Sequence, residues 1–187
     1  MMTAFRKIFV PAFACLALSA CGGQLYKVAT PVKSPPPSLA AEAVGLRVAA
    51  KALNGDEGLE QFDANLLLAG LVAVDVRLAN RATEAVPLAL LRPELHDGGN
   101  ALFKLLTPKQ ALKRVMRYYG NRLYAKAAYA QTLADYEALG LPLTVTLASQ
   151  EERHGFLFFE TKADATTLNG LTLTLNGLPT PVIVKLD

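Results

Sequence analysis

Cysteine is nearly absent from this sequence of 187 residues, and this limits how the fold can be held together. The two cysteines, Cys15 and Cys21, both lie near the amino terminus. The chain after Cys21 cannot form a disulfide of its own, so we expect a hydrophobic core that stabilises the fold without covalent help. Tryptophan is missing altogether.

Residues that usually perform catalysis or bind zinc are also scarce. After residue 43 there is one serine, Ser149, and the whole chain has two histidines, His96 and His154. Zinc sites need several nitrogen and sulfur ligands, which two isolated histidines do not supply. Ser149 and His154 share one polar loop, but a solvated turn is favoured over a catalytic dyad. We assign no catalytic residue, metal ligand or cofactor and predict that the protein is not an enzyme.

Clusters of oxygen-bearing side chains have equally plain interpretations. The run Asn54-Gly55-Asp56-Glu57-Gly58 offers oxygen ligands for calcium, yet it does not match an EF-hand and is interpreted as a turn between strands. The adjacent Glu151 and Glu152 are interpreted as solvated charge, not as a glycosidase pair.

An apolar run from Ile8 to about Leu18 follows the cations Arg6 and Lys7. A bilayer-spanning helix needs about 20 apolar residues, so this run is too short. A basic start, a short apolar stretch and small residues before residue 21 are typical of an export signal. We therefore predict a signal peptide over residues 1–20.

The signal ends in Leu18-Ser19-Ala20-Cys21, which resembles the lipobox of bacterial lipoproteins. The resemblance implies transfer of diacylglycerol to the Cys21 thiol, cleavage before it, and a lipid-anchored mature protein. Gly22 and Gly23 follow where an aspartate tends to retain lipoproteins at the inner membrane. This implies the outer membrane with the domain facing the periplasm, and leaves the inner membrane and the cell surface as alternatives.

Prolines mark the start of the mature chain. Pro31, Pro35, Pro36 and Pro37 lie within residues 21–43, where few side chains are suited to a core. Such composition favours a semi-rigid, extended spacer. We expect a tether over residues 21–43, with a short strand over residues 24–30 as the alternative, and one folded domain over residues 44–187.

The domain has the alternating pattern of β-strands. The clearest case is the aliphatic series Val72, Val74, Val76 and Leu78, and similar alternation recurs in residues 46–50, 141–147, 171–175 and 182–186. Seven to eight short strands with turn signals between them favour an antiparallel sandwich. The order resembles the immunoglobulin-like sandwiches of bacterial envelope lipoproteins, without the cysteine pair and tryptophan of a true immunoglobulin domain. A partly open barrel is the alternative.

A helical insert interrupts the strands over residues 107–140. Leu112, Val115, Met116 and Tyr119 have the spacing of one buried helical stripe, and Thr107-Pro108 is a typical helix start. After Gly120-Asn121, an alanine-rich stretch predicts a second helix. The insert is thus a helical hairpin.

Positive charge concentrates in this insert. Seven basic residues and no acidic one lie between Lys104 and Lys126, while all sixteen acidic residues lie elsewhere. The candidate interaction surface comprises Lys109, Lys113, Arg114, Arg117, Tyr118, Arg122, Tyr124 and Lys126. Its expected partners are anionic lipid headgroups, lipopolysaccharide phosphates or an acidic protein. Nucleic acid is not an expected partner, because a domain anchored outside the cytoplasm would rarely meet it. We also expect no small-molecule substrate.

Two functions are compatible with these patterns. The first is a non-enzymatic interaction or structural module of the cell envelope, anchored to the membrane through lipid on Cys21. The second is a lipid-handling or envelope assembly factor, in which an apolar cavity holds an acyl chain. A cavity between the sheet and the helices would favour the second function, and a fully packed core the first.

Overall fold

The computed structural model describes residues 25–29, 39–121, 126–161 and 169–186, and the chain is mainly β. The helices are α1 (Gly55–Phe62), α2 (Pro108–Tyr118) and α3 (Lys126–Leu139), with a 3-10 turn at Leu88–Leu90. The strands are β1 (Ala40–Ala43), β2 (Leu46–Ala52), β3 (Leu71–Asn80), β4 (Val86–Pro87), β5 (Arg92–His96), β6 (Leu102–Leu106), β7 (Thr146–Leu147), β8 (Glu152–Glu160), β9 (Thr172–Asn176) and β10 (Val182–Lys185). Among the described residues, no helix is long and apolar enough to cross a membrane.

Eight strands form one continuous antiparallel sheet in the order β1-β2-β3-β8-β6-β5-β9-β10. The edge strands β1 and β10 approach each other, so the sheet is nearly closed into a barrel. The prediction of an immunoglobulin-like sandwich is therefore wrong. A sandwich needs two separate sheets, whereas here β6 pairs with β8 on one side and with β5 on the other.

The inward face of this sheet forms the larger core. The predicted inward series of β3, from Val72 to Leu78, is completely buried, together with Phe159 of β8 and Leu173 of β9. Both a sandwich and a barrel alternate inward and outward side chains, so the alternation itself does not distinguish them.

A second core lies on the outward face of β3 and β8. There the three helices cover Leu71, Ala73, Phe156 and Phe158, and the ring of Phe62 at the end of α1 packs on Phe156 and Phe158 at 5.2 and 5.6 Å between centroids. The outward face of β3 is thus buried at its start and carries the half-buried polar residues Asp75 and Arg77 farther along the strand.

Several local predictions need correction. Asn54 is not in a turn between strands: it caps α1, accepting the Glu57 amide at 2.9 Å while the Glu57 carboxylate accepts the Asn54 amide at 3.1 Å. Most of residues 141–147 lie outside any strand, since β7 occupies only Thr146–Leu147. The domain also begins before residue 44, since β1 occupies Ala40–Ala43.

Candidate functional site

Helix α2 carries most of the candidate surface, and its sequence explains how it is oriented. Thr107 and Gln110 form a capping box, and Pro108 occupies the first turn, where a missing amide proton costs nothing. The apolar face of α2, formed by Ala111, Leu112, Val115 and Met116, is buried in the second core. The opposite face therefore points to solvent.

Three cations on that face form a row, which we call the α2 cation row: Lys109, Lys113 and Arg117. They are exposed and lie four residues apart, hence on one side of the helix. Within the described part of the chain, none of the three forms an ion pair. Equal charges at this spacing repel one another by a few tenths of a kcal/mol per pair.

Arg114 does not belong to this exposed surface, contrary to the sequence prediction. Its Nε donates to the carbonyl oxygens of Ala69 and Gly70 at 3.0 and 3.1 Å, and its Nη2 donates to that of Thr161 at 3.1 Å. Its Nη1 lies 2.6 Å from the Glu160 carboxylate. Arg114 therefore ties α2 to the start of β3 and the end of β8.

The carboxyl end of α2 presents two tyrosine rings. Tyr118 and Tyr119 pack edge to face at 5.0 Å, with exposed fractions of 40% and 41%. The hydroxyl of Tyr119 accepts from the amide of Asn65 at 3.1 Å and donates to its carbonyl oxygen at 3.2 Å. The spacing of Tyr119 predicts that it belongs to the buried stripe of α2, and this prediction is wrong because its side chain is exposed.

The other predicted residues are divided between described and undescribed segments. Lys126 is exposed at the first position of α3. Arg122, Tyr124 and the predicted lipidation site Cys21 lie outside the described residues. Farther along α3, the side-chain amide of Gln131 donates to the carboxylate of Asp135 at 2.9 Å, so this part of the helix carries an acidic group.

Part of the predicted tether packs on the domain instead of extending from it. Tyr26 is buried in the second core, and its hydroxyl accepts from the Asn121 side-chain amide at 2.6 Å. The backbone amide of Ala29 donates to the carbonyl oxygen of Gln61 in α1 at 2.8 Å. The side-chain amide of Gln61 donates in turn to the carbonyl oxygen of Ala29 at 2.6 Å. Burial raises the pKa of the Tyr26 hydroxyl above its ordinary value, although the hydrogen bond from Asn121 acts to lower this pKa.

An apolar pocket of about 220 Å³ opens where helix ends meet the sheet. Its walls are the junction of β6 and α2, residues 140 to 143 after α3, and Phe156 to Phe158 of β8. At one wall of the pocket, the backbone around Leu141 packs directly on Gly155 of β8. A Cβ at position 155 would lie 2.6 Å from the Cα of Leu141, so only glycine allows this close approach.

The catalytic alternatives considered from sequence are not brought together. The Ser149 hydroxyl donates to the carbonyl of Ala82 at 2.7 Å, whereas Nε2 of His154 lies 2.7 Å from the Asp75 carboxylate. Glu151 pairs with Arg153, and Glu152 pairs with Arg81 at 3.0 Å.

No group of three potential metal-ligating side chains occurs in the segments that the structure describes. The pairing of His154 with Asp75 has no signal in the linear sequence, because strands β3 and β8 bring the two residues together.

Comparison with known proteins gives distant structural similarity and no family assignment. No protein-family profile and no curated protein matches the sequence. Among solved structures, the yjhA protein from Bacillus subtilis is similar with a TM-score of 0.44 and 11% identity, over 81% of this chain and 98% of that one. A conserved hypothetical protein from Bacillus anthracis is similar with a TM-score of 0.37 and 12% identity, over 78% of this chain and 92% of that one.

Proposed function

We propose that this chain is a lipoprotein of the bacterial cell envelope, anchored to the outer membrane through Cys21, whose periplasmic domain acts by binding and not by catalysis. The observation that carries the proposal is the segment Leu18-Ser19-Ala20-Cys21 at the end of an export signal. A domain without thiols follows it, so Cys21 has no disulfide partner in its own mature chain.

The α2 cation row supports a binding role. Ordinary solubility is served equally well by interspersed charges of both signs. A row of like charges without acidic neighbours on the helix instead favours an anionic partner, which would offset the repulsion along the row. Such a partner is an anionic lipid, a lipopolysaccharide phosphate or an acidic protein of the envelope.

A lipid-handling role is the second candidate, because the pocket beside β8 is apolar. Its volume of about 220 Å³ is below the range of roughly 300 to 1,000 Å³ that is usual for ligand sites. The inward face of the sheet is filled by its own side chains. Saturable binding of a fluorescent fatty acid, lost on Leu141→Trp substitution, would favour this second function over the first.

The anchor is tested in the full precursor by replacing Cys21 with serine. We expect no acylation, and either uncleaved precursor or protein released from the membrane fraction. Cys15→Ser is the matched control, since it removes a thiol from the signal segment and should leave acylation unchanged. Mature, membrane-bound Cys21→Ser protein would refute the proposal.

The binding role is tested by a photo-crosslinking residue at position 113 in intact cells. We expect products that disappear when Lys109 and Arg117 are both changed to glutamate. The same probe at Ile183, which is 56% exposed on β10, is the control. Identical products at both positions would contradict a specific surface on α2.

A further inference from the structure

The docking of residues 25–29 on the domain determines how far the domain can lie from its anchor. Five residues of extended chain span at most about 18 Å, whatever conformation they adopt. Tyr26 is buried in the domain, and it follows Cys21 by five residues. The surface around Tyr26 is therefore within about 18 Å of the acylated cysteine, if Cys21 is acylated as proposed.

That surface brings together the docked segment and the residue Asn121 after α2, and α3 begins shortly afterwards in the chain. Asn121, the hydrogen-bond partner of Tyr26, lies three residues after α2 and five before Lys126. We call the exposed side chains here the anchor-side corner: Lys27, Arg117, Tyr118, Tyr119 and Lys126.

The chemistry of the anchor-side corner fits a lipid headgroup surface. Basic side chains are attracted by anionic headgroups, and tyrosine is enriched where protein meets the membrane interface because its ring is apolar and its hydroxyl is polar. Next to the corner on the side of α1, the carboxylate of Asp63 accepts from the backbone amide of Lys27 at 3.2 Å. The side formed by α2 and α3 therefore carries the positive charge.

We propose that the anchor-side corner lies against the anionic headgroups of the membrane that holds the lipid anchor, so that the domain has one fixed face toward the bilayer. This inference rests on the proposed lipid anchor and goes beyond it by naming the partner of the anchor-side corner. Strands β5 and β10 are not neighbours of β3 and β8, on which the helices pack, and would then lie away from the membrane.

The test uses the lipidated mature protein, which has no free thiol apart from one that is introduced. A fluorophore is attached at Ala127→Cys, an exposed position beside Lys126, or at Ile183→Cys on β10. Each protein is inserted into vesicles of phosphatidylcholine, with or without phosphatidylglycerol, that contain a quencher on the lipid headgroup. We expect strong quenching at position 127 and little at position 183 in the vesicles with phosphatidylglycerol.

Charge reversal then separates the corner from general electrostatics. R117E/K126E should lower quenching at position 127 to the level of position 183, whereas R92E/K185E, which makes the same change in net charge on β5 and β10, should not. High salt should act like R117E/K126E, since it screens charges beyond a few ångströms. Unchanged thermal unfolding shows that each variant is folded.

Equal quenching at both positions, or equal effects of the two double variants, would overturn the inference. Quenching at position 127 that requires an added envelope protein would also overturn the inference, because the corner would then bind protein and not the lipid headgroups. Failure of the proposed anchor is distinguishable, since the mature protein would lack acyl chains in a mass spectrum and would not enter vesicles at all.

Discussion

At the scale of single residues, Arg114 shows how one cation can differ from its neighbours in the same basic stretch. Its guanidinium satisfies three backbone carbonyls and one carboxylate, whereas Lys113 beside it is exposed. Arg114→Ala should lower the free energy of unfolding by about 1–3 kcal/mol, because the half-buried carbonyls lose their donors. Lys113→Ala should change it by less than about 0.5 kcal/mol. Urea unfolding of both variants measures the difference, and equal values would contradict this role.

Asn80 is a second residue whose importance depends on its partners. It is completely buried at the end of β3, where its amide nitrogen donates to Glu84, Leu147 and Ala148 at 2.8 to 3.2 Å. Its carbonyl oxygen accepts from Ala82 at 3.0 Å.

We predict that Asn80→Asp destabilises the fold by at least about 2–4 kcal/mol, because a buried carboxylate would face carbonyl oxygens. Asn80→Ala should cost less, since it leaves the carbonyls unsatisfied but adds no charge. Thermal unfolding at neutral pH measures the order of the two variants. A smaller loss for aspartate than for alanine would show that the arrangement of partners is different.

At the scale of elements, α1 depends on its cap. Burial alone would raise the pKa of Glu57, but hydrogen bonds from Lys51 and from the Asn54 backbone hold it below its ordinary value of 4.5. A carboxyl group with a lowered pKa in the folded state stabilises the fold above its unfolded value and loses this contribution as pH falls through the folded one.

Glu57→Gln should therefore destabilise the protein at neutral pH, and its difference from wild type should shrink as pH falls below 4.5. Urea unfolding over this pH range is the measurement. Glu60→Gln removes a charge from the exposed side of the same helix and serves as the control. A difference for Glu57→Gln that does not change with pH would contradict the role of the charged cap.

The same elements show what sequence patterns can predict. The strand over Val72–Leu78 and the start of α2 at Thr107 were predictable, because alternation and capping are local signals. The signal for α1 was also present, as asparagine followed three residues later by glutamate, but the glycines around it favoured a turn.

Other features were not predictable from local patterns. The pairing of β6 with β8 joins distant segments, and it decides between a sandwich and a nearly closed barrel. The contacts of Arg114 and Tyr26 likewise arise only when the helices pack on the sheet, so the sequence placed one on the surface and the other in a tether.

At the scale of the whole molecule, the docking of Tyr26 would limit the distance between the domain and the proposed lipid anchor on Cys21. Without docking of residues 25–29, Leu39 would be the first described residue after Cys21 that is hydrogen-bonded to the sheet. The chain between the two points of attachment would lengthen from five to eighteen residues. The maximum reach would then increase from about 18 Å to about 60 Å. The domain would no longer be confined near the membrane.

Tyr26→Ala in the lipidated protein should therefore increase the mean distance between the bilayer and the domain, measured by energy transfer from a dye at Ile183→Cys to labelled lipids. It should also cost about 3 kcal/mol of stability, because a buried aromatic ring leaves a cavity. Tyr26→Phe is the matched control, since it keeps the ring and removes only the hydrogen bond from Asn121. Transfer that is unchanged in Tyr26→Ala while the domain stays folded would mean that other contacts set the distance to the membrane.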